Sequence, residues 1–315
     1  MTFRSRNLEA LGNQISVPIL TDEEGYLGRE CPIKECEGYF KIKLGTGLTG
    51  KDIPCHCPYC GHADGQDKFY TQDQIEYLHS FALRKITDAI RKDLKTLEFN
   101  EPARGPFGIG MSLTIKEGRP VPIRHYREKR LETAVVCDSC TLEYAIYGLF
   151  GFCPDCGSHN SFHILGKNLD LVVKQLDLAL TIEEETLRRH LIEDALENCV
   201  SAFDGFGRES CRIRSSLSKD AARAQSISFQ NPNGFGKRLQ DLFAVDVKSM
   251  VTSSEWNTIH RGFMKRHVVA HRSGVVDAQY LGETSDSNAV VGRRVPLEEQ
   301  EVRALAELLR SLGRS

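Results

Sequence analysis

The stretch Cys137–Cys156, CDSCTLEYAIYGLFGFCPDC, decides how the chain divides. Its cysteines are spaced C-x2-C-x12-C-x2-C. Two such pairs can place four thiolates tetrahedrally around a zinc ion, at about 2.3 Å from it. Pro154 and Gly157 shape the second pair into a tight turn, and the chain between the pairs, TLEYAIYGLFGF, alternates aromatics in a way suited to a hairpin. Working outward, CPYCG at 57–61 repeats the turn chemistry of CPDCG at 153–157. Cys31 and Cys36 supply the other half of this earlier site, across a longer glycine-rich insert. The expected ligand sets are Cys31, Cys36, Cys57, Cys60 and Cys137, Cys140, Cys153, Cys156, giving two structural zinc ions per chain. Cys55 stands outside both sets, and His56 and His62 are weaker candidate ligands.

Each set fills four positions, so neither leaves an open catalytic position. Both clusters resemble zinc ribbons, which bind nucleic acid or a protein partner, or serve only as staples for small β-units. The sequence leaves that choice open. Nine of the eleven cysteines precede residue 157 in these clusters. Such spacing points to metal binding in a reducing compartment, hence the cytoplasm, rather than to a disulfide framework.

The 315 residues suffice for two or three domains with real cores. Hydrophobic residues make up 40% and charged residues 27%, as in soluble globular proteins. The formal net charge of −2 gives no general attraction for polyanions, so any nucleic-acid site must arise from local charge. No run of 18 apolar residues suggests a membrane span, and MTFRSRNLEALGN lacks an apolar signal core.

The expected fold class is α+β: a β-rich cysteine region followed by an all-α bundle. The expected parts are a first ribbon over 1–70, a linking helix, short strands and second ribbon over 71–165, and a four-helix domain over 168–315. Thr71 and Gln74 predict a capping box for a helix over 72–98, with Ile75, Leu78, Ala82, Ile86, Ile90 and Leu94 at helical spacing. FNEPARGPFG, 99–108, reads as a connector, followed by strands at 109–116 and 121–125 about a Glu117–Gly118 turn and a third over 132–137. Thr181 and Glu184 predict another capping box, for a helix carrying Leu187, Leu191, Leu196, Val200 and Phe203. NPNGFGKRLQDLF reads as a loop and short helix. A long helix then starts at a Ser253 or Ser254 cap and ends at Gly274, and a last one carries Val302, Leu305, Leu308 and Leu309 on its inner face.

The long helix ends in MKRHVVAHRSGVVD, 264–277. Its apolar residues Trp256, Ile259, Phe263 and Ala270 can face a core, leaving Arg261, Lys265, Arg266 and Arg272 as a solvated face. His267 and His271 are four apart, a valid zinc geometry, but no third ligand or intervening acid accompanies them. A third reading rests on resemblance. RHVVAH, an arginine with a polar residue directly after it and a histidine five positions on, resembles the R-x4–6-H signature of the HEPN superfamily. The match lies late in the third long helix of a four-helix segment, and the resemblance covers about residues 168–315.

The resemblance implies a helical domain that pairs as a homodimer, and a metal-independent endoribonuclease of a family that includes toxins and defence effectors, with a protein partner or inhibitor as a further expected partner. His271 would act as base or acid, Arg266 would stabilise the charge on phosphorus, and His267 would orient the phosphate or assist. RNA is then the expected substrate. Five residues on an ideal helix turn through about 140°, so a two-fold dimer cleft would help Arg266 and His271 meet. The alternative is a non-catalytic HEPN dimerisation or nucleotide-binding protein with nucleic-acid-binding ribbons; a DNA-binding factor built on the ribbons is a third reading.

Overall fold

The computed structural model describes residues 5–50, 52–102, 104–105, 107, 109–116, 118–131 and 133–314. Two units divide the chain, Met1–Ser158 and His159–Ser315. In chain order the first holds α1 (Arg6–Glu9), β1 (Tyr26–Glu30), β2 (Tyr39–Lys43), β3 (Cys55–His56), β4 (Ala63–Asp64), α2 (Gln72–Lys95), β5 (Phe99–Glu101), β6 (Met111–Leu113), β7 (Thr133–Val136) and β8 (Glu143–Ile146). The second holds α3 (Ser161–Leu180), α4 (Glu185–Ile213), α5 (Ala221–Gln225), α6 (Pro232–Phe243), α7 (Ser253–Arg272), α8 (Ala278–Thr284) and α9 (Glu299–Arg314). The chain is α+β, as expected.

Four strands form one antiparallel sheet in the order β1-β2-β8-β7. Strand β8 belongs to the second cysteine cluster and pairs with β2 of the first, through Lys41↔Ala145 and Ile42↔Tyr144. The two clusters therefore share a sheet within one unit, where the sequence suggested a ribbon over 1–70 apart from the segment after it. Leu27, Phe40, Ile42, Val135, Tyr144 and Ile146 of this sheet are buried together with Phe69 and the cysteines of both clusters. The expected hairpin between Cys140 and Cys153 does not form: β8 pairs with β7, which precedes Cys137, and with β2.

Helix α2 starts where its cap predicts. Thr71 Oγ1 accepts from the Gln74 amide at 3.1 Å, and the Thr71 amide donates to Gln74 Oε1 at 3.2 Å. It ends at Lys95, three residues before the expected end. Its buried positions are Gln74, Tyr77, Ala89 and Asp93, while Ile90 is exposed. Residues 118–131 explain this rotation, because they run extended along the helix. Arg91 Nη2 donates to the Arg119 carbonyl at 2.6 Å, the Arg124 amide to Ser80 Oγ at 2.9 Å, and the Tyr77 ring meets His125 and Tyr126 at 5.8 and 5.6 Å. No strand forms at 121–125: Pro120 and Pro122 lack the amide hydrogen that a ladder needs. Strand β6 pairs with β5, inside the expected connector, from Phe99↔Leu113 to Glu101↔Met111. Of the expected turn, Glu117 lies outside the described residues.

In the second unit α3, α4, α7 and α9 pack around one core that includes Leu169, Leu176, Leu196, Val200, Phe203, Phe263, Leu305 and Leu309. Helix α3 begins at Ser161, seven residues ahead of the expected domain start. Thr181 closes α3 instead of opening the next helix, its Oγ1 donating to the Leu178 carbonyl at 2.8 Å, and α4 starts after Glu184 with no side-chain cap. Leu187, expected on the α4 stripe, is exposed, whereas Leu196, Val200 and Phe203 are buried. Helix α6 starts at Pro232 itself, capped by Asn231, so no loop precedes it within NPNGFG. Helix α7 is capped one residue earlier than expected, by Thr252 in a capping box with Glu255, and it ends at Ser273 and Gly274, both at positive φ. On α9, Val302, Leu305 and Leu309 are buried, and Leu308 packs partly buried against them.

Candidate functional site

The first unit brings together the two sets of cysteines that the spacing selects. Cys31, Cys36, Cys57 and Cys60 form one group and Cys137, Cys140, Cys153 and Cys156 the other, with all sulfurs of a group within 4.8 Å of one another. Their closest pairs are 3.7 and 3.7 Å in the first group, and 3.6 and 3.5 Å in the second. Disulfide sulfurs would stand about 2.05 Å apart. Four sulfurs at about 2.3 Å from a central ion form a tetrahedron with edges of about 3.8 Å, so both groups could hold a metal ion.

The same local device builds all four half-sites. The residue after the second cysteine, respectively Glu37, Gly61, Thr141 and Gly157, takes positive φ. The amide of the first cysteine bonds back to a carbonyl beyond the turn: Cys31 to Gly38, Cys57 to His62, Cys137 to Leu142 and Cys153 to Ser158, at 2.8–3.0 Å. Cys55 is buried beside these groups but belongs to neither, and burial pushes its thiol up to about 12. His56 and His62 are likewise outside both: His56 Nδ1 faces the Pro154 carbonyl at 3.3 Å, and His62 Nε2 faces Asp64 at 3.9 Å.

In the second unit, Arg266, His267 and His271 line one cleft of about 490 Å³. The opposite wall comes from the segment before α6 and its first turns, with Gln230, Asn231 and Arg238, and from α8, with Gln279 and Glu283. Adjacent positions on a helix point about 100° apart. Lys265 accordingly faces α9, with Nζ 2.7 Å from both Glu301 oxygens, which leaves Arg266 to face the cleft. Tyr280 donates to Asp286 at 2.7 Å, and Asp286 stands 3.8 Å from Lys265, so the same buried network holds α8 against α7.

Arg266 is half-buried. Its Nη1 donates to Gln230 Oε1 at 3.4 Å, and its Nε is buried with no bonding partner. Gln230 Nε2 in turn donates to Asp204 Oδ2 at 3.4 Å, and the other Asp204 oxygen accepts from the Phe229 amide at 2.6 Å. Asp204 is buried on α4 and also pairs with Arg208 at 2.9 Å. The His267 and His271 rings lie 4.9 Å apart, tilted by 60°, and both are exposed. The cleft thus offers one guanidinium and two imidazoles to a shared volume. The two histidines and Glu283 do not converge as a metal-binding group. The 140° separation of Arg266 and His271 does not keep them out of one cleft within a single chain, because the long arginine side chain spans the difference.

Gln230, Asp204 and Arg238 carry no sequence signal of this role. Gln230 sits in an aperiodic connection, and Asp204 reads as one more polar residue on a long helix. No family model, no curated protein and no solved structure matches the chain.

Proposed function

We propose that the chain is a metal-independent endoribonuclease of the HEPN type, acting as a homodimer, with zinc in both four-cysteine groups. The observation that supports the catalytic reading is the meeting of Arg266, His267 and His271 in one cleft at the end of α7. A half-buried guanidinium with an orphan Nε is poised to bind an anion, since an unpaired buried donor is costly. Arginine holds two phosphate oxygens in a fixed fork. A neutral imidazole can take a proton near neutral pH.

In this reading His271 takes the proton of an RNA 2′-hydroxyl as that oxygen bonds to phosphorus. Arg266 stabilises the charge gathering on the phosphorane. The bond from phosphorus to the 5′-oxygen breaks, and that oxygen receives a proton from His267 or from the partner subunit's imidazole. The products are a 2′,3′-cyclic phosphate and a 5′-hydroxyl. Pairing of two such chains would bring the α7 end of each subunit into a single shared cleft at the dimer interface, as the resemblance implies.

His271→Ala and Arg266→Ala should each lower RNA cleavage by about 10²-fold or more while leaving the helix content unchanged. EDTA in a short assay should not inhibit. Prompt EDTA inhibition reversed by magnesium, or full activity in His271→Ala, would overturn the reading. A monomeric but active enzyme, by light scattering, would remove the dimer alone. Slowed growth on overexpression of wild type but not of His271→Ala would support a toxin or effector role.

A further inference from the structure

The charge of the first unit is sorted along the sequence. Residues 76–130 carry twelve Lys and Arg against seven Asp and Glu. Residues 1–75 before them carry eight against eleven, and residues 131–158 after them none against four. Three of the four half-sites carry a net acidic charge, with Glu30, Glu35 and Glu37 against Lys34 around the first, Asp138 in the third and Asp155 in the fourth, while the Cys57–Cys60 turn carries neither sign. Phosphate would be repelled at those three and attracted to the insert between the two clusters.

The fold gathers the insert's charge into a line. Helix α2 and the extended segment 118–131 run side by side, pinned at Arg91–Arg119, Arg84–Val121, Ser80–Arg124 and Gln74–Glu128. From Gln74 to Arg91 the helix rises about 25 Å. Most acids of the segment are already engaged. Glu76 pairs with Arg124 at 2.7 Å, Asp88 lies between Arg84 and Arg91 at 3.5 and 3.8 Å, Asp93 accepts from Asn7 and Leu8, and Glu128 accepts from Tyr39 and Gln74. Lys92, Lys116, Arg119 and Arg127 are exposed, and none of them is in an ion pair among the described residues. Glu23 and Glu24 share a hollow with Arg127 and Arg130 and weaken the field at that end, and at the other end Glu98, which accepts from the Ile115 amide, and Glu101 are exposed.

We infer that this basic stripe, and not the cysteine half-sites, is the docking surface for single-stranded RNA. The line is one helix and one extended segment wide, which suits a single phosphate backbone. Next to it, the β5–β6 hairpin carries the exposed rings of Phe99 and Phe107, on which bases can stack. A planar anionic membrane would also meet the acidic flanking segments, whereas one strand need not. The choice of RNA among polyanions rests on the nuclease reading above; the stripe itself does not.

The test uses the full chain carrying His271→Ala, which separates binding from cleavage. Anisotropy of a labelled single-stranded RNA of about 20 nucleotides is followed across salt. Changing Lys92, Lys116, Arg119 and Arg127 to Gln should weaken binding at least tenfold near 0.1 M salt and flatten the log–log salt slope by roughly 2–3. Changing Lys167, Lys174, Lys219 and Arg223, exposed in the second unit, should change it less than twofold. Equal loss in both variants, or no RNA binding at all, would overturn the inference. So would stripe-dependent binding to phosphatidylserine vesicles with RNA binding unchanged. Stripe-dependent binding by a wild type that never cuts RNA would sink the nuclease reading and leave the stripe standing.

Discussion

Arg266 shows how a site residue is set by neighbours that the sequence does not flag. Its guanidinium is steered from one side by Gln230, and Gln230 is oriented by Asp204, buried one helix away. The 3.4 Å bonds are long, so each is worth the lower end of a charge-assisted interaction. If the cleft cuts RNA as proposed, Gln230→Ala should therefore lower cleavage by about tenfold, against 10²-fold or more for Arg266→Ala. The loss should fall in kcat more than in KM, because a misaimed guanidinium matters most when charge develops on phosphorus. An unchanged rate in Gln230→Ala would mean that Arg266 holds its place without this chain of amides. Arg266, His267 and His271 stand out in the sequence because few residue types suit such chemistry, and the fold does bring them to one cleft. Gln230 does not stand out, since any residue able to accept and donate at that point in an irregular connection would read the same.

Elements were legible where a local device and the hydrophobic period agreed. The Thr71–Gln74 box and the start of α2 coincide, and the four-cysteine groups follow from turns that repeat in sequence. Misreadings occurred where a tertiary partner decided. Thr181 and Glu184 have capping-box spacing, but the Thr181 hydroxyl bonds back to α3, and the box never forms. Residues 121–125 alternate like a strand, yet their partner is a helix, so no ladder exists. Gly207 sets the same contest in one residue. By propensity alone, Gly→Ala inside α4 would gain about 1 kcal/mol. A Cβ there, however, would lie 2.5 Å from the ring of buried Phe229, which stacks on Phe235 at 4.9 Å. Overpacking of a filled core costs about 1–3 kcal/mol. Gly207→Ala should therefore leave stability unchanged or reduce it by up to about 2 kcal/mol in urea melts. A gain near 1 kcal/mol would show that the ring has room to move.

At the scale of the molecule, the two units are held together by different means, and removal of metal should tell them apart. The first unit's core is a handful of strand residues interleaved with the cysteines themselves. Without an ion, burial pushes the Cys31 and Cys140 thiols up to about 11, while Cys60 and Cys156 are lowered by hydrogen bonds that outweigh their burial, so each group would mix neutral thiols into a site shaped for four thiolates. If zinc sits there, its binding is folding energy for this unit, of order 10 kcal/mol per site. The second unit has a continuous apolar core over α3, α4, α7 and α9 and needs no ion. Purified protein should hold about two zinc ions per chain, and Cys55→Ser should keep both, because Cys55 lies outside the ligand groups. Stripping the metal with a thiol reagent and chelator should unfold the first unit while the helices from α3 onward persist in circular dichroism. Trypsin should then leave a resistant fragment beginning near His159. One zinc per chain would dissolve one of the groups. Loss of all helix on stripping would mean that the second unit, despite its separate core, is not stable alone.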